Sequence, residues 1–142
     1  MIGNSRIRTI VVFIGLTGLL AISSLAQEEQ ASAKFPSIKC EELKQLIDSK
    51  SVEILVVSND PQESFDEGHI PGAVSFPWTD NLKTPVSLPR NKTLVLYCSC
   101  SHEEDSSDVA AKLARFGYRN IKVLEGGWLR WLKLKYPTQK KT

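Results

Sequence analysis

The chain carries at residues 93–116 the sequence TLVLYCSCSHEEDSSDVAAKLARF, in which an apolar run, two cysteines and an amphipathic segment follow one another. The run from Thr93 to Tyr97 is short and almost entirely apolar, which is typical of a buried strand in a parallel sheet. Apolar side chains then recur at helical spacing from Ser106 to Phe116. Asp105 or Ser106 is placed to cap the first turn of this helix, and Gly117 to end the last. The stretch therefore predicts a strand, a loop that begins at the cysteines, and a helix.

Similar patterns on both sides continue this alternation. Apolar residues at helical spacing predict further helices over Cys40–Ser49 and Trp128–Leu134, and short apolar runs predict strands over Glu53–Ser58, Val74–Phe76 and Ile121–Leu124. The prolines between Pro77 and Asn91 predict an irregular surface connection. Strands that alternate with helices predict an α/β domain whose mostly parallel sheet is covered by helices on both faces.

Length and composition limit the class of protein. A chain of 142 residues with 42% hydrophobic and 24% charged residues fits one globular domain. The net charge is only +2 and no long basic stripe occurs, so nucleic acid is not expected as a partner. Cys40, Cys98 and Cys100 are too few for a disulfide framework and leave an odd thiol.

The first residues have the order of a secretory signal peptide. Arg6 and Arg8 precede an apolar run from Ile10 to Ile22, and small residues at Ser24 and Ala26 suit a cleavage site. An uncleaved membrane anchor is the alternative, but the run is shorter than the roughly 20 residues that a spanning helix needs. We expect a periplasmic or secreted protein with no membrane association after cleavage. The predicted parts are a signal peptide (1–26), a linker (27–36), the domain (37–137) and a basic tail (138–142).

Three motifs resemble the rhodanese (sulfurtransferase) family. They are FDEGHIPGA at 65–73, LVLYC at 94–98 leading into the cysteine loop, and GYRNIKVLEGGW at 117–128. The resemblance covers nearly the whole predicted domain, from about Ile38 to Pro137. The resemblance implies the three-layer rhodanese-like fold, with a central, mostly parallel sheet and helices on both faces.

The resemblance also implies an active site. Aligned along the helix that ends at Gly117, Cys100 matches the family's catalytic cysteine, which accepts a sulfur atom as a persulfide and passes it to a thiophilic acceptor. The implied substrate-binding loop consists of Ser101, His102, Glu103, Glu104, Asp105 and Ser106. A small-molecule or protein-bound sulfur donor and a thiol acceptor are the expected partners, with no cofactor and no metal. Backbone N–H groups and the helix end favour the thiolate in such a loop.

The chain departs from the family in two places. Many members hold anionic donors with a cation in the loop, but residues 93–111 contain no Lys or Arg, and three consecutive acids follow His102. Thiosulfate is therefore a doubtful donor, unless these acids face solvent as a helix-preceding cap. The family usually has Asp, Arg and Glu where this chain has Ser58, Asp60 and Ser64, so a supporting salt-bridge network is expected to be missing.

The sequence is compatible with three other functions. Cys98 is a candidate redox partner of Cys100, which would make the chain a thiol redox protein. Cys98, Cys100 and His102 form a soft-metal site only if the segment stays extended. A non-catalytic rhodanese-like binding module is the further alternative. His69 is expected to be structural, and His102 to lie in the loop as the histidine that assists the chemistry.

Overall fold

The computed structural model describes residues 35–141. In this part strands and helices alternate in the order β1 (Ser37–Ile38), α1 (Cys40–Asp48), β2 (Ile54–Ser58), α2 (Gln62–Glu67), β3 (Val74–Ser75), β4 (Thr93–Tyr97), α3 (Glu104–Arg115), β5 (Ile121–Leu124) and α4 (Gly127–Lys133). The predicted signal peptide and nearly all of the predicted linker lie outside the described residues. No helix within 35–141 has the length and hydropathy to cross a membrane.

The strands form one five-stranded parallel sheet in the order β1-β5-β4-β2-β3. β4 is central and pairs with β2 from Thr93 opposite Ile54 to Tyr97 opposite Ser58. The chain leaves β4 towards β5 and leaves β2 towards β3, in opposite directions, so a topological switch point lies between these two strands. In open parallel sheets this is where ligands bind, at the carboxyl ends of the strands.

Side chains alternate along each strand, so the apolar strands present apolar residues on both faces of the sheet. Helices cover both faces, and both are buried. Leu94 and Leu96 pack with Val109 and Leu113 of α3 on one face. The other face packs against α1 and α4, and its largest fully buried side chains are Tyr97 and Trp131. The predicted three-layer α/β fold is confirmed.

Some details of the predicted elements are wrong. Helix α3 begins at Glu104, two residues before the predicted Ser106, and its N-cap is Glu103 with φ of 56° and no side-chain cap. Neither Asp105 nor Ser106 caps the helix, because both already lie within its first turn. Gly117, with φ of 86°, follows the last turn as predicted.

Two short elements had no counterpart in the prediction. β1 has two residues, and α2 has six, of which only Phe65 is buried. Such segments are too short to show a hydrophobic period. After α4, Gln139 pairs with His69 as an antiparallel bridge, so the residues predicted as a tail are partly fixed to the 65–73 motif.

Candidate active site

The cysteine loop runs from Cys98 to Glu103, between β4 and α3, at the carboxyl edge of the sheet. Cys98 and Cys100 are joined by a disulfide, with their Cα atoms 5.4 Å apart. Cys98 is fully buried, whereas Cys100 is partly exposed. Cys40 is free and buried near α4, where its thiol donates to the carbonyl of Glu125 at 3.6 Å. The two cysteines of the loop are thus adjacent, and Cys100 is the one that solvent reaches.

Asp60, which follows β2, anchors the residue between the two cysteines. The backbone N–H of Ser99 donates to Asp60 Oδ1 at 2.7 Å, and its hydroxyl donates to Oδ2 at 2.9 Å. Asp60 is only 7% exposed. Hydrogen bonds to an ionised acceptor are about twice as strong as neutral ones. Where the resemblance implies an arginine, this chain has the carboxylate of Asp60, which holds the loop from the β2 side.

The glycine pair Gly126 and Gly127, at the start of α4, holds the loop from the β5 side. Trp128 N–H donates to the carbonyl of Cys98 at 2.9 Å. Gly127 has φ of 50°, and a Cβ there would collide with the same carbonyl oxygen. Gly126 N–H donates to Glu103 Oε1 at 2.5 Å. Contacts with the glycine pair and Trp128 thus fix both the first and the last residue of the loop.

The neighbouring acids Glu103, at the end of the loop, and Glu104, at the start of α3, have different contacts and different exposure. Glu103 is turned towards Gly126, while Glu104 is exposed and accepts the backbone N–H of His102 at 3.1 Å. Hydrogen bonds from its own backbone N–H and from that of His102 hold the pKa of Glu104 below its usual range. The solvent-facing alternative thus fits Glu104, whereas Glu103 has an internal structural contact.

The two histidines differ in placement. The Nδ1 atom of buried His69 lies 2.8 Å from the carbonyl oxygen of Phe65, and its ring stacks on the Phe65 ring, so it has the expected structural role. The side chain of His102 is 84% exposed and lies beside Glu104, so this residue belongs to the loop but its side chain lies in solvent and not in the interior of the loop. Among residues 35–141 no group of three His, Cys, Asp or Glu side chains is arranged to hold a metal ion.

The 65–73 motif contacts the last residue of β4, from which the cysteine loop starts. Ile70 N–H donates to the hydroxyl of Tyr97, the last residue of β4, at 3.2 Å. Burial raises the pKa of Tyr97 to about 12, so this phenol stays neutral. The motif thereby fixes the end of the strand from which the cysteine loop starts.

The fold and the site define a parallel α/β domain with a cysteine loop at the carboxyl edge of its sheet. The chain belongs to the Rhodanese-like domain family, whose sequence pattern matches residues 39–134.

Sulfurtransferases are among the proteins to which this chain is similar. An adenylyltransferase and sulfurtransferase of Lodderomyces elongisporus is 32% identical over 102 residues, which are 66% of this chain and 22% of that protein. A 3-mercaptopyruvate sulfurtransferase of Escherichia coli K12 is 29% identical over 87 residues, covering 51% of this chain and 30% of that protein. The crystal structure of the BH2092 protein from Bacillus halodurans has a TM-score of 0.68 and 28% identity, over 75% of this chain and 77% of that one. The chain spans less than a third of the length of either curated relative.

Proposed function

We propose that this protein is a sulfurtransferase that carries sulfane sulfur as a persulfide on Cys100. The observation that carries the proposal is the position of Cys100, which is partly exposed in a loop that leads directly into the twelve-residue helix α3. The N-terminal end of a helix favours a nearby anion, and a thiolate is the nucleophile of sulfur exchange. Cys98 is buried and does not offer its sulfur to an external donor.

The proposed reaction starts from the reduced loop. The Cys100 thiolate attacks the sulfane sulfur of the donor, a sulfur–sulfur bond forms, and the donor's leaving group departs with the electron pair of the broken bond. A thiolate acceptor then attacks the outer sulfur of the persulfide, takes that atom, and restores the Cys100 thiolate. Asp60 and the glycine pair hold the loop during both steps through their contacts with Ser99, Glu103 and Cys98.

The donor we propose is a small-molecule or protein-borne persulfide rather than thiosulfate, whose two negative charges lie on one compact group. Residues 93–111 contain no Lys or Arg, and Asp60, Glu103 and Glu104 all lie in or against the loop. The compact thiosulfate dianion meets repulsion at such a site, and no guanidinium of the loop can bind it.

The test compares sulfur transfer by the reduced full chain with that of Cys100→Ser, using glutathione persulfide as donor and a small thiol as acceptor. Cys40→Ser is the matched control, because it also removes one thiol but lies outside the loop. Loss of transfer in Cys100→Ser alone is expected. Equal transfer by all three proteins, or none by the unmodified chain, refutes the proposal, and the second result favours a non-catalytic binding module.

A thiol redox protein is the second candidate, and the Cys98–Cys100 disulfide is the observation that favours it. Equilibration of the full chain with glutathione buffers of stepped potential tests it. A redox protein is expected to cycle fully between dithiol and disulfide and to oxidise or reduce a second protein thiol. A chain that cycles but exchanges no electrons with other thiols is not a redox carrier.

The proposed setting of this chemistry is outside the cytoplasm, because residues 1–26 have the order of a signal peptide. N-terminal sequencing of the mature protein should begin after Ala26. A start at Met1 in envelope material contradicts cleavage.

A further inference from the structure

We infer that Cys98 resolves the persulfide of Cys100, releasing sulfide and closing the Cys98–Cys100 disulfide. This inference rests on the proposed function, because it needs the persulfide to form. It adds a second fate for the bound sulfur, in which the sulfane atom leaves as sulfide instead of passing to an acceptor.

The two sulfur atoms are brought together by contacts that do not depend on the bond between them. The carbonyl of Cys98 is held by Trp128 N–H, and both polar groups of Ser99 are held by Asp60. The Cys98 sulfur also lies 3.6 Å from the hydroxyl of Ser106. These contacts remain when the disulfide is reduced, so the Cys98 thiol stays next to the inner sulfur of a persulfide on Cys100.

The burial of Cys98 restricts what it can react with. Its side chain is fully buried, so a bulky donor or acceptor cannot reach it. The neighbouring Cys100 sulfur is the group within its reach, as their bond demonstrates. Cys98 is therefore suited to an intramolecular attack, which avoids the entropic cost of bringing two molecules together.

The atoms and electrons of the step balance without an external oxidant. The Cys98 thiolate attacks the Cys100 sulfur, the Cys98–Cys100 bond forms, and the bond to the outer sulfur breaks. The outer sulfur, which carries the persulfide proton, leaves with the electron pair as hydrosulfide, and the proton lost by the Cys98 thiol goes to solvent. The sulfane atom is reduced and the two cysteines are oxidised. A dithiol reductant then opens the disulfide for the next cycle.

Charge favours departure of the outer sulfur. No Lys or Arg between residues 93 and 111 is available to hold a hydrosulfide anion at Cys100, whereas Asp60 and Glu103 lie at the same loop. Cys100 is partly exposed, so the hydrosulfide anion leaves directly into water. The loop therefore has no side-chain cation that would retain the hydrosulfide after it has formed.

The experiment follows one turnover of the reduced full chain under anaerobic conditions with one equivalent of glutathione persulfide. Released sulfide and intact mass are recorded together for the unmodified chain, Cys98→Ser, Cys98→Ala and Cys40→Ser. The unmodified chain and Cys40→Ser should release one sulfide per chain and end two hydrogens lighter than the reduced protein. Both Cys98 variants should stay heavier by one sulfur and release sulfide at least about tenfold more slowly, because only external thiols can then attack.

Each contrary outcome has a distinct meaning. If the Cys98 variants gain sulfur and the unmodified chain keeps it equally long, the resolving role of Cys98 is refuted while the sulfurtransferase proposal stands. A disulfide that forms without released sulfide also refutes the inference, because the electrons then went elsewhere. If the Cys98 variants are folded and gain no sulfur, the persulfide itself is absent and the proposed function fails with the inference.

Discussion

Replacement of Gly127 by alanine should selectively disturb the cysteine loop. Gly127 has φ of 50°, and a Cβ at this position collides with the carbonyl oxygen of Cys98, which also accepts the N–H of Trp128. Gly72 is the matched control, because its φ is also positive, at 77°, but a Cβ there meets nothing within 4 Å. The difference between the two variants isolates the contact with the loop from the cost of left-handed backbone.

The expected magnitudes follow from these contacts. Alanine in a left-handed conformation costs about 1 kcal/mol, and this is the whole expected effect at Gly72. At Gly127 overpacking adds about 1–3 kcal/mol and the lost hydrogen bond about 1 kcal/mol, for a total of about 3–5 kcal/mol. Urea unfolding of both variants measures the two free energies.

A second readout separates the loop from the rest of the fold. Gly127→Ala should slow sulfur transfer more than Gly72→Ala does in protein that remains folded, because the loop is displaced. Equal losses of stability in the two variants, together with unchanged transfer, refute the claim that the glycine pair fixes the cysteine loop.

Three further predictions concern the loop and the free cysteine. Asp60→Ala should lower the free energy of unfolding by about 2–3 kcal/mol and Ser99→Ala by about 1 kcal/mol, since the latter keeps the backbone hydrogen bond; equal effects in urea unfolding contradict the anchoring role. Glu104→Arg should raise the rate of thiosulfate turnover, and the weak turnover of the unmodified chain should rise with salt above about 0.1 M. If neither change alters the rate, the acidic side chains do not limit thiosulfate turnover. Burial, with the nearby Glu41 carboxylate, raises the pKa of Cys40 from 9.0 to about 11. The folded thiol should therefore resist alkylation at neutral pH. The stability that the neutral Cys40 thiol contributes is complete below pH 9 and should be lost as the pH rises towards about 11. Cys40→Ser should show a smaller loss of stability over this range. Rapid alkylation of Cys40 in the folded protein contradicts the raised pKa.

The elements that carry the fold were predictable because each has a periodic apolar pattern. The apolar runs predict β4 and β5 with their observed bounds and β2 within one residue, since buried parallel strands are nearly continuous apolar runs. The same patterns predict a loop that begins at the cysteines and leads into a helix, whereas the choice of Cys100 over Cys98 comes from the resemblance to the family. Both α2 and β1 escaped prediction because few of their side chains enter the core.

The contacts that shape the site were not predictable in the same way. Asp60 and Ser99 are 39 residues apart, and Glu103 and Gly126 are 23 apart. Such pairs meet only because parallel strands bring their carboxyl ends to one edge. The resemblance predicts that a supporting salt-bridge network is missing around Asp60. It does not predict that the Asp60 carboxylate holds the loop by accepting two hydrogen bonds from Ser99. Acceptor roles of this kind depend on loop geometry, which one sequence does not specify.

The most direct test of the central claim is the location of the transferred sulfur. Reduced Cys98→Ser is treated with glutathione persulfide, trapped with an alkylating reagent and fragmented in the mass spectrometer. Residues 93–111 contain no Lys or Arg, so a tryptic peptide carries both loop positions and the fragment ions must assign the sulfur. We expect an alkylated persulfide on Cys100 and none on Cys40. An adduct absent from Cys100 in Cys98→Ser, together with one on Cys98 in Cys100→Ser, contradicts it.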